Sequence, residues 1–192
     1  MSVPPGALSE ALDKLAEEIG PRLLRRDSLR GEVTVVVSTD AWFEACQRLK
    51  NNLELAFDML TDLTVVDLAP LEKSPRFELV AHLYSIQRNH RVRLKASLSG
   101  KKPEVASLTS LWKNANWLER EAWDMFGVRF GGHPDLKRIL LYPEFKGHAL
   151  RKDYPLRKRQ PLVTERDVDE PDSMSSEPIR YPAEPRFKSF GV

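Results

Sequence analysis

Glu119, Arg120, Glu121 and Asp124 bring three carboxylates and one guanidinium within six residues, the raw material of acid–base chemistry. On a helix Arg120 and Asp124 are i,i+4 neighbours able to pair, Glu121 shares their side, and Glu119 points elsewhere. No nucleophile or tuned partner stands beside them, so the set reads as structural ion pairing or an interface network rather than a catalytic centre. His133, Asp135 and His148 could supply metal ligands, but fifteen residues separate the histidines, without the tight spacing of HxxxH or paired CxxC. Loop anchoring explains them better: Gly131-Gly132 frees the chain to turn, Pro134 stiffens it, and Gly147 before His148 repeats the device. Gly131-Gly132 is no phosphate cradle, lacking both the GxGxxG spacing and a following lysine with serine or threonine.

Charge and aromatic content point to contact surfaces. From Lys137 to Arg159, eight basic residues (Lys137, Arg138, Lys146, Arg151, Lys152, Arg157, Lys158, Arg159) face only Glu144 and Asp153, a local net of +6. Gln160 to Arg180 reverses the sign, with six acids against Arg166 and Arg180, a net of −4. Phosphate contacts could use the basic run. No nucleic-acid motif accompanies it, and alternating potential suits a protein interface better. Trp112, Trp117, Trp123 and Phe126 occupy two helix faces as core and contact residues, one of which could meet a second protein.

The elements that must position these groups follow from periodicity. Leu8, Leu12, Leu15 and Ile19 form the apolar stripe of a helix over residues 7–19, started by Ser9 or Pro5-Gly6 and stopped by Gly20-Pro21. Glu32 to Ser38 is a β-branched strand, and Thr39-Asp40 caps a helix running to about Asn51. Leu63–Leu68, Phe77–Ile86 and His90–Leu98 read as strands, the last two as a hairpin. Val92, Leu94, Ala96 and Leu98 alternate with Arg91, Arg93, Lys95 and Ser97, the mark of a sheet buried on one face. Ser107 to Phe126 reads as helical, with Gly127 as its stop. The expected fold is therefore α+β: a mostly antiparallel sheet with helices on one side, followed by an extended, irregular carboxy-terminal tail. Eight of the fourteen prolines lie beyond Gly127, which favours extended chain there.

Length and composition set the outer limits. At 192 residues the chain suits one globular body with an extension. The net charge of +2 gives no strong overall field for nucleic acid or anionic lipid. Cys46, the single cysteine, excludes an internal disulfide or a cysteine-held cluster and suits a reducing compartment. The start, MSVPPGALSEALDK, has no basic region followed by an apolar run, and no run approaches the roughly 18 apolar residues needed to span a bilayer, so any membrane attachment is expected through partners.

The run Glu119-Arg120-Glu121, Asp124-Met125-Phe126-Gly127, Phe130, Gly132 to Leu140, Gly147-His148 and Leu150 to Pro155 resembles a known signature. It is similar to that of the 30 kDa subunit family, the C-type subunits of proton-pumping NADH-quinone oxidoreductase, respiratory complex I. Ala149 stands where the family usually has a second proline, Phe145 where tryptophan is common and Lys137 where arginine is common; a lysine there cannot form arginine's bidentate fork. The resemblance implies a peripheral-arm subunit with no catalytic, cofactor-binding or metal-binding residues of its own. It implies an assembled complex that carries FMN and iron–sulfur clusters and uses NADH and quinone. It also implies partners among the hydrophilic complex I subunits, chiefly the 49 kDa-type quinone-site subunit, and a peripheral location on the cytoplasmic face of the bacterial inner membrane. Related subunits serve membrane-bound hydrogenases and non-NADH quinone-linked dehydrogenases, so the donor is left open. Partner contacts are expected at Glu119, Arg120, Glu121, Asp124, His133, Asp135, Lys137, Arg138, His148, Arg151, Lys152, Asp153 and Tyr154. The expected organisation is an α+β body over 1–127, a docking signature region over 128–164 and a partner-wrapping tail over 165–192. Two readings from other classes compete: a free-standing enzyme using Glu121, Asp124 and His133, and a nucleic-acid module using Lys137 to Arg159.

Overall fold

A computed structural model describes residues 5–160 except Lys73 and Lys101. The expected wrapping tail over 165–192 lies outside the described residues, as does the end of the signature region. The described residues belong to one compact unit.

The apolar alternation seen in the sequence becomes a five-stranded mixed sheet in the order β1-β2-β5-β4-β3. Its strands are β1 (Leu23–Leu29), β2 (Glu32–Val37), β3 (Met59–Asp67), β4 (Phe77–Ser85) and β5 (His90–Leu98). All neighbours are antiparallel except β2 and β5, which run parallel. That single parallel pair arises because the chain crosses from β2 through helix α2 (Trp42–Asn51) to the far edge, then meanders back through β3 and β4. Val35, Leu94, Ala81 and Leu63 line up across four strands, and all are buried on one face. The bulge at Thr61 lets Leu60 and Leu63 share that face despite their odd spacing. Helix α1 (Pro5–Ile19) contributes Leu12, Leu15 and Ile19 to the core, and α2 contributes Trp42, Ala45, Cys46 and Leu49. The opposite face carries cross-strand pairs instead, Lys95 with Glu78 at 2.6 Å and Arg93 with Glu32 at 2.6 Å.

Three strands escape sequence periodicity. Strand β1, LLRRDSL, is a charged edge strand joined to β2 by Arg30 and Gly31 at φ 54° and 82°, a two-residue turn. Arg26 turns inward from it to bond Ser9 and Asp13 on α1. Strands β6 (Glu104–Ala106) and β7 (Arg129–Gly131) pair in parallel, each too short to show a period.

The third helix is shorter than the sequence predicts. Helix α3 spans Ala115–Phe126, whereas Ser107–Asn114 forms turns. The Ser107 hydroxyl and the Leu108 amide are claimed by the Glu119 carboxylate at 2.7 and 2.6 Å, and the Thr109 amide donates to Ser107 Oγ. Such local bonds compete with helical ones. Before the helix, Trp112 Nε1 and Asn114 Nδ2 donate to the Asp58 and Leu60 carbonyls, tying the segment to edge strand β3. Helix α2 likewise starts without the expected side-chain cap.

Candidate functional site

A helix leaves its last four carbonyls without internal partners. In α3 the adjacent Gly127 satisfies the first of them and a distant segment of the chain the other three. The Gly127 amide donates to Trp123 O at 2.8 Å, and Gly127 adopts φ 75°, the left-handed stop. His148 Nδ1 donates to Asp124 O at 3.0 Å, the Leu150 amide to Met125 O at 3.1 Å, and Arg151 Nε to Phe126 O at 2.5 Å. A cation and an imidazole thus sit at the negative end of the helix dipole. The approach is close enough that a Cβ on Gly127 would lie 2.5 Å from His148 Nε2. Burial lowers the His148 pKa, helped by nearby Arg151 and Arg138.

Asp124 organises the loop above the same helix. Its Oδ2 accepts from the consecutive amides of Ile139, Leu140 and Leu141 at 3.2, 3.0 and 2.9 Å, and Oδ1 accepts from Arg138 Nη1 at 2.5 Å. Burial pushes the carboxyl pKa up, but those amides and Arg138 outweigh it and hold the group below the ordinary range. Arg138 then reaches Phe145 O and Gly147 O, with its guanidinium 5.7 Å from both the Trp123 and Phe145 rings. Phe145 stacks on Tyr154 at 5.7 Å, so this departure from the usual tryptophan keeps its aromatic role. Gln160 bonds both Tyr154 and Lys146 and closes the loop.

The i,i+4 pair expected between Arg120 and Asp124 does not form. Arg120 donates instead to Lys137 O and Arg138 O at 3.1 and 3.0 Å and lies over Trp117, because Arg138 and the loop amides have taken the Asp124 oxygens. Glu119 does point away from that face, into the core. Its side chain has 0% exposure, and burial pushes its pKa up to about 7 despite the bonds from Leu108 and Ser107. Glu119 and Asp124 therefore lie inside the chain, and Glu121 remains exposed.

His133 Nε2 donates to Asn116 O at 3.2 Å and Nδ1 accepts the Asp135 amide at 3.1 Å, so both ring nitrogens anchor the loop. Among the described residues, no three His, Cys, Asp or Glu side chains converge as metal ligands. Lys137 pairs with Asp135 at 2.8 Å on the surface.

Sequence reasoning missed a second anchor, Asp67 and Arg76. Asp67 accepts from both Arg76 Nε and Nη2, from the Ala69 amide and from the Lys152 amide. Arg76 also bonds Asp153 at 2.8 Å. The Arg76 guanidinium beside Asp67, with those amides, overcomes burial and holds its carboxyl below the usual range. Asp67 and Lys152 are 85 residues apart, and no local pattern announces the contact.

Solved structures share this fold. A trypsin-resistant fragment (1-134) of Nqo5 superposes with a TM-score of 0.59 at 26% identity, covering 68% of this chain and 99% of the fragment. A chain of an archaeal respiratory membrane complex, the membrane-bound sulfane sulfur reductase, gives 0.62 at 21% identity, covering 83% and 98%; it shows the fold alone. The class is thus an α+β domain of the Nqo5 fold. Residues 35–160 match the family described as the respiratory-chain NADH dehydrogenase 30 Kd subunit. The chain belongs to that family, as the signature resemblance implied. One C-type subunit of the NADH-quinone oxidoreductase of Rhizobium etli, the copy numbered 2, is 44% identical over 157 residues, covering 82% of this chain and 81% of the relative. The C-type subunit of the same oxidoreductase in Geotalea uraniireducens is 43% identical over 148 residues, covering 77% and 88%. Among the described residues, no helix is long and apolar enough to cross a membrane.

Proposed function

We propose that this chain is a non-catalytic structural subunit of the peripheral arm of an NADH-quinone oxidoreductase, and that its signature region docks beside the 49 kDa-type quinone-site subunit. In this reading the complex sits on the cytoplasmic face of the inner membrane, and FMN, iron–sulfur clusters, NADH and quinone are handled by other subunits.

One observation carries the reading. The signature acids, arginines and histidines bond chiefly to one another and to backbone, which fits them to hold a surface in shape. What the region leaves exposed is Trp117, Glu121, Leu140 and Tyr142, together with Lys146, Lys152 and Lys158. Exposed tryptophan and tyrosine beside cations are the residues that dominate protein interfaces. The expected contacts at Arg120, Lys137, Arg138, Arg151, Asp153 and Tyr154 then act by shaping and rimming this surface. The relative solved as a trypsin-resistant fragment, aligned with 68% of this chain, supports a stable α+β body.

Affinity purification of the full chain from membranes tests the reading. Co-purification of the other peripheral-arm subunits with NADH:quinone activity is expected, whereas a chain recovered alone would refute it. NADH-dependent turnover also separates this donor from a hydrogenase or other dehydrogenase assembly.

A further inference from the structure

Behind the helix-capping segment lies a cleft of about 540 Å³ lined by Lys102, Arg129, His148 and Arg151, with Trp123 and Leu136 as apolar walls. No carboxylate lines it among the described residues. Arg151 is the telling member. It is partly buried, and that burial depresses its pKa. Its guanidinium has no carboxylate within ion-pair distance among the described residues: Asp67 and Asp153, which act on it from farther off, are bonded to Arg76. The Phe126 carbonyl at the helix end and the Phe77 ring, 5.1 Å away, offset part of that charge but supply no full counter-ion, so an anion in the cleft would stabilise it further. Arg129 and Lys102 add two exposed charges of the same sign at the mouth.

We propose that this cleft receives an acidic segment of a neighbouring subunit, its carboxylates meeting Arg151, Arg129 and Lys102 and an adjacent apolar side chain packing on Trp123 and Leu136. The volume and the apolar walls suit a peptide better than a small inorganic anion, and Lys102, Arg129 and Arg151, with no carboxylate among the described lining residues, disfavour a basic one. The proposal rests on the reading of this chain as a subunit of a larger complex. It adds to that reading a particular contact, at the cleft beside Arg151.

Zero-length carbodiimide coupling of the purified complex tests it, because the reagent joins Lys102 Nζ to a carboxylate only where the two already touch. Mass spectrometry is expected to find an amide between Lys102 and an aspartate or glutamate of another subunit. Lys102→Arg, which keeps the charge but cannot form the amide, should abolish it. Arg129→Glu, a surface change, should cut its yield on the order of fivefold or more, and Arg129→Lys should preserve it. If the subunits co-purify but Lys102 stays unlinked, or links only within its own chain, the cleft proposal is overturned while the complex stands. If no subunits co-purify, both fall.

Discussion

Gly127 carries two demands at once: a left-handed backbone, and room for His148 and Arg151 against its Cα. Gly127→Ala adds a backbone penalty of about 1 kcal/mol and a clash that displaces the cap. We expect a lower denaturation midpoint and faster hydrogen exchange at the Leu150 amide; an unchanged Leu150 amide would argue against the cap. Glu119 makes a prediction of opposite character. Its carboxyl ionises near 4.5 when unfolded and about 7 when folded. Between those values the folded chain holds the extra proton, so this group's contribution is full below pH 4.5 and is lost as pH rises through 7. In Glu119→Gln the amide oxygen can accept from Leu108 and the amide nitrogen can donate to Ser107. Stability should then flatten between about pH 5 and 8 and exceed wild type at about pH 8 by on the order of 2 kcal/mol. A variant that retains the wild-type decline would refute the assignment. Asp124 is the reverse case, an ionised carboxylate that the loop requires. Asp124→Asn should cost about 3 kcal/mol by leaving Arg138 without its counter-charge, read as a fall in chemical-denaturation stability.

At the level of elements, legibility tracks range. Strands β4 and β5 and the stop at Gly127 are readable because alternation and glycine's backbone freedom are local signals, whereas β3, expected over Leu63–Leu68, starts four residues earlier at Met59 because the bulge at Thr61 breaks its alternation. Strand β1 is hidden by its own edge protection, Arg25, Arg26 and Asp27 giving no apolar alternation. Helix α3 reads too long in the sequence because the apolar residues Leu108 and Leu111 continue its pattern, while the bonds that stop it come from Glu119 folding back. The signature's self-bonding is half legible. That His133 anchors a loop follows from its glycine and proline neighbours, but the choice of Arg138 over Arg120 by Asp124 requires three amides that only the folded loop brings together. The Asp67 anchor cannot be read at all, since it joins the end of β3 to a loop far along the chain. Asp67→Asn should cost about 1.5–3 kcal/mol and deprotect the Lys152 amide while β4 and β5 keep their exchange protection. Loss of protection throughout the sheet would mean that the anchor supports the whole body.

For the molecule as a whole, a stretch dense in acids, bases and histidines turns out to be bonded largely to itself, closing one helix end and presenting aromatic and basic residues outward. Function on this account is exercised through assembly: the chain shapes a contact surface, and electrons pass through its partners. The central claim is that signature residues govern the amount of assembled complex and not the chemistry within it. Arg138→Met in the intact oxidoreductase tests this most directly, with NADH:quinone turnover measured per assembled complex after quantifying the assembled fraction. The account predicts a reduced assembled fraction with turnover per complex close to wild type. Full assembly with turnover reduced tenfold or more would contradict it.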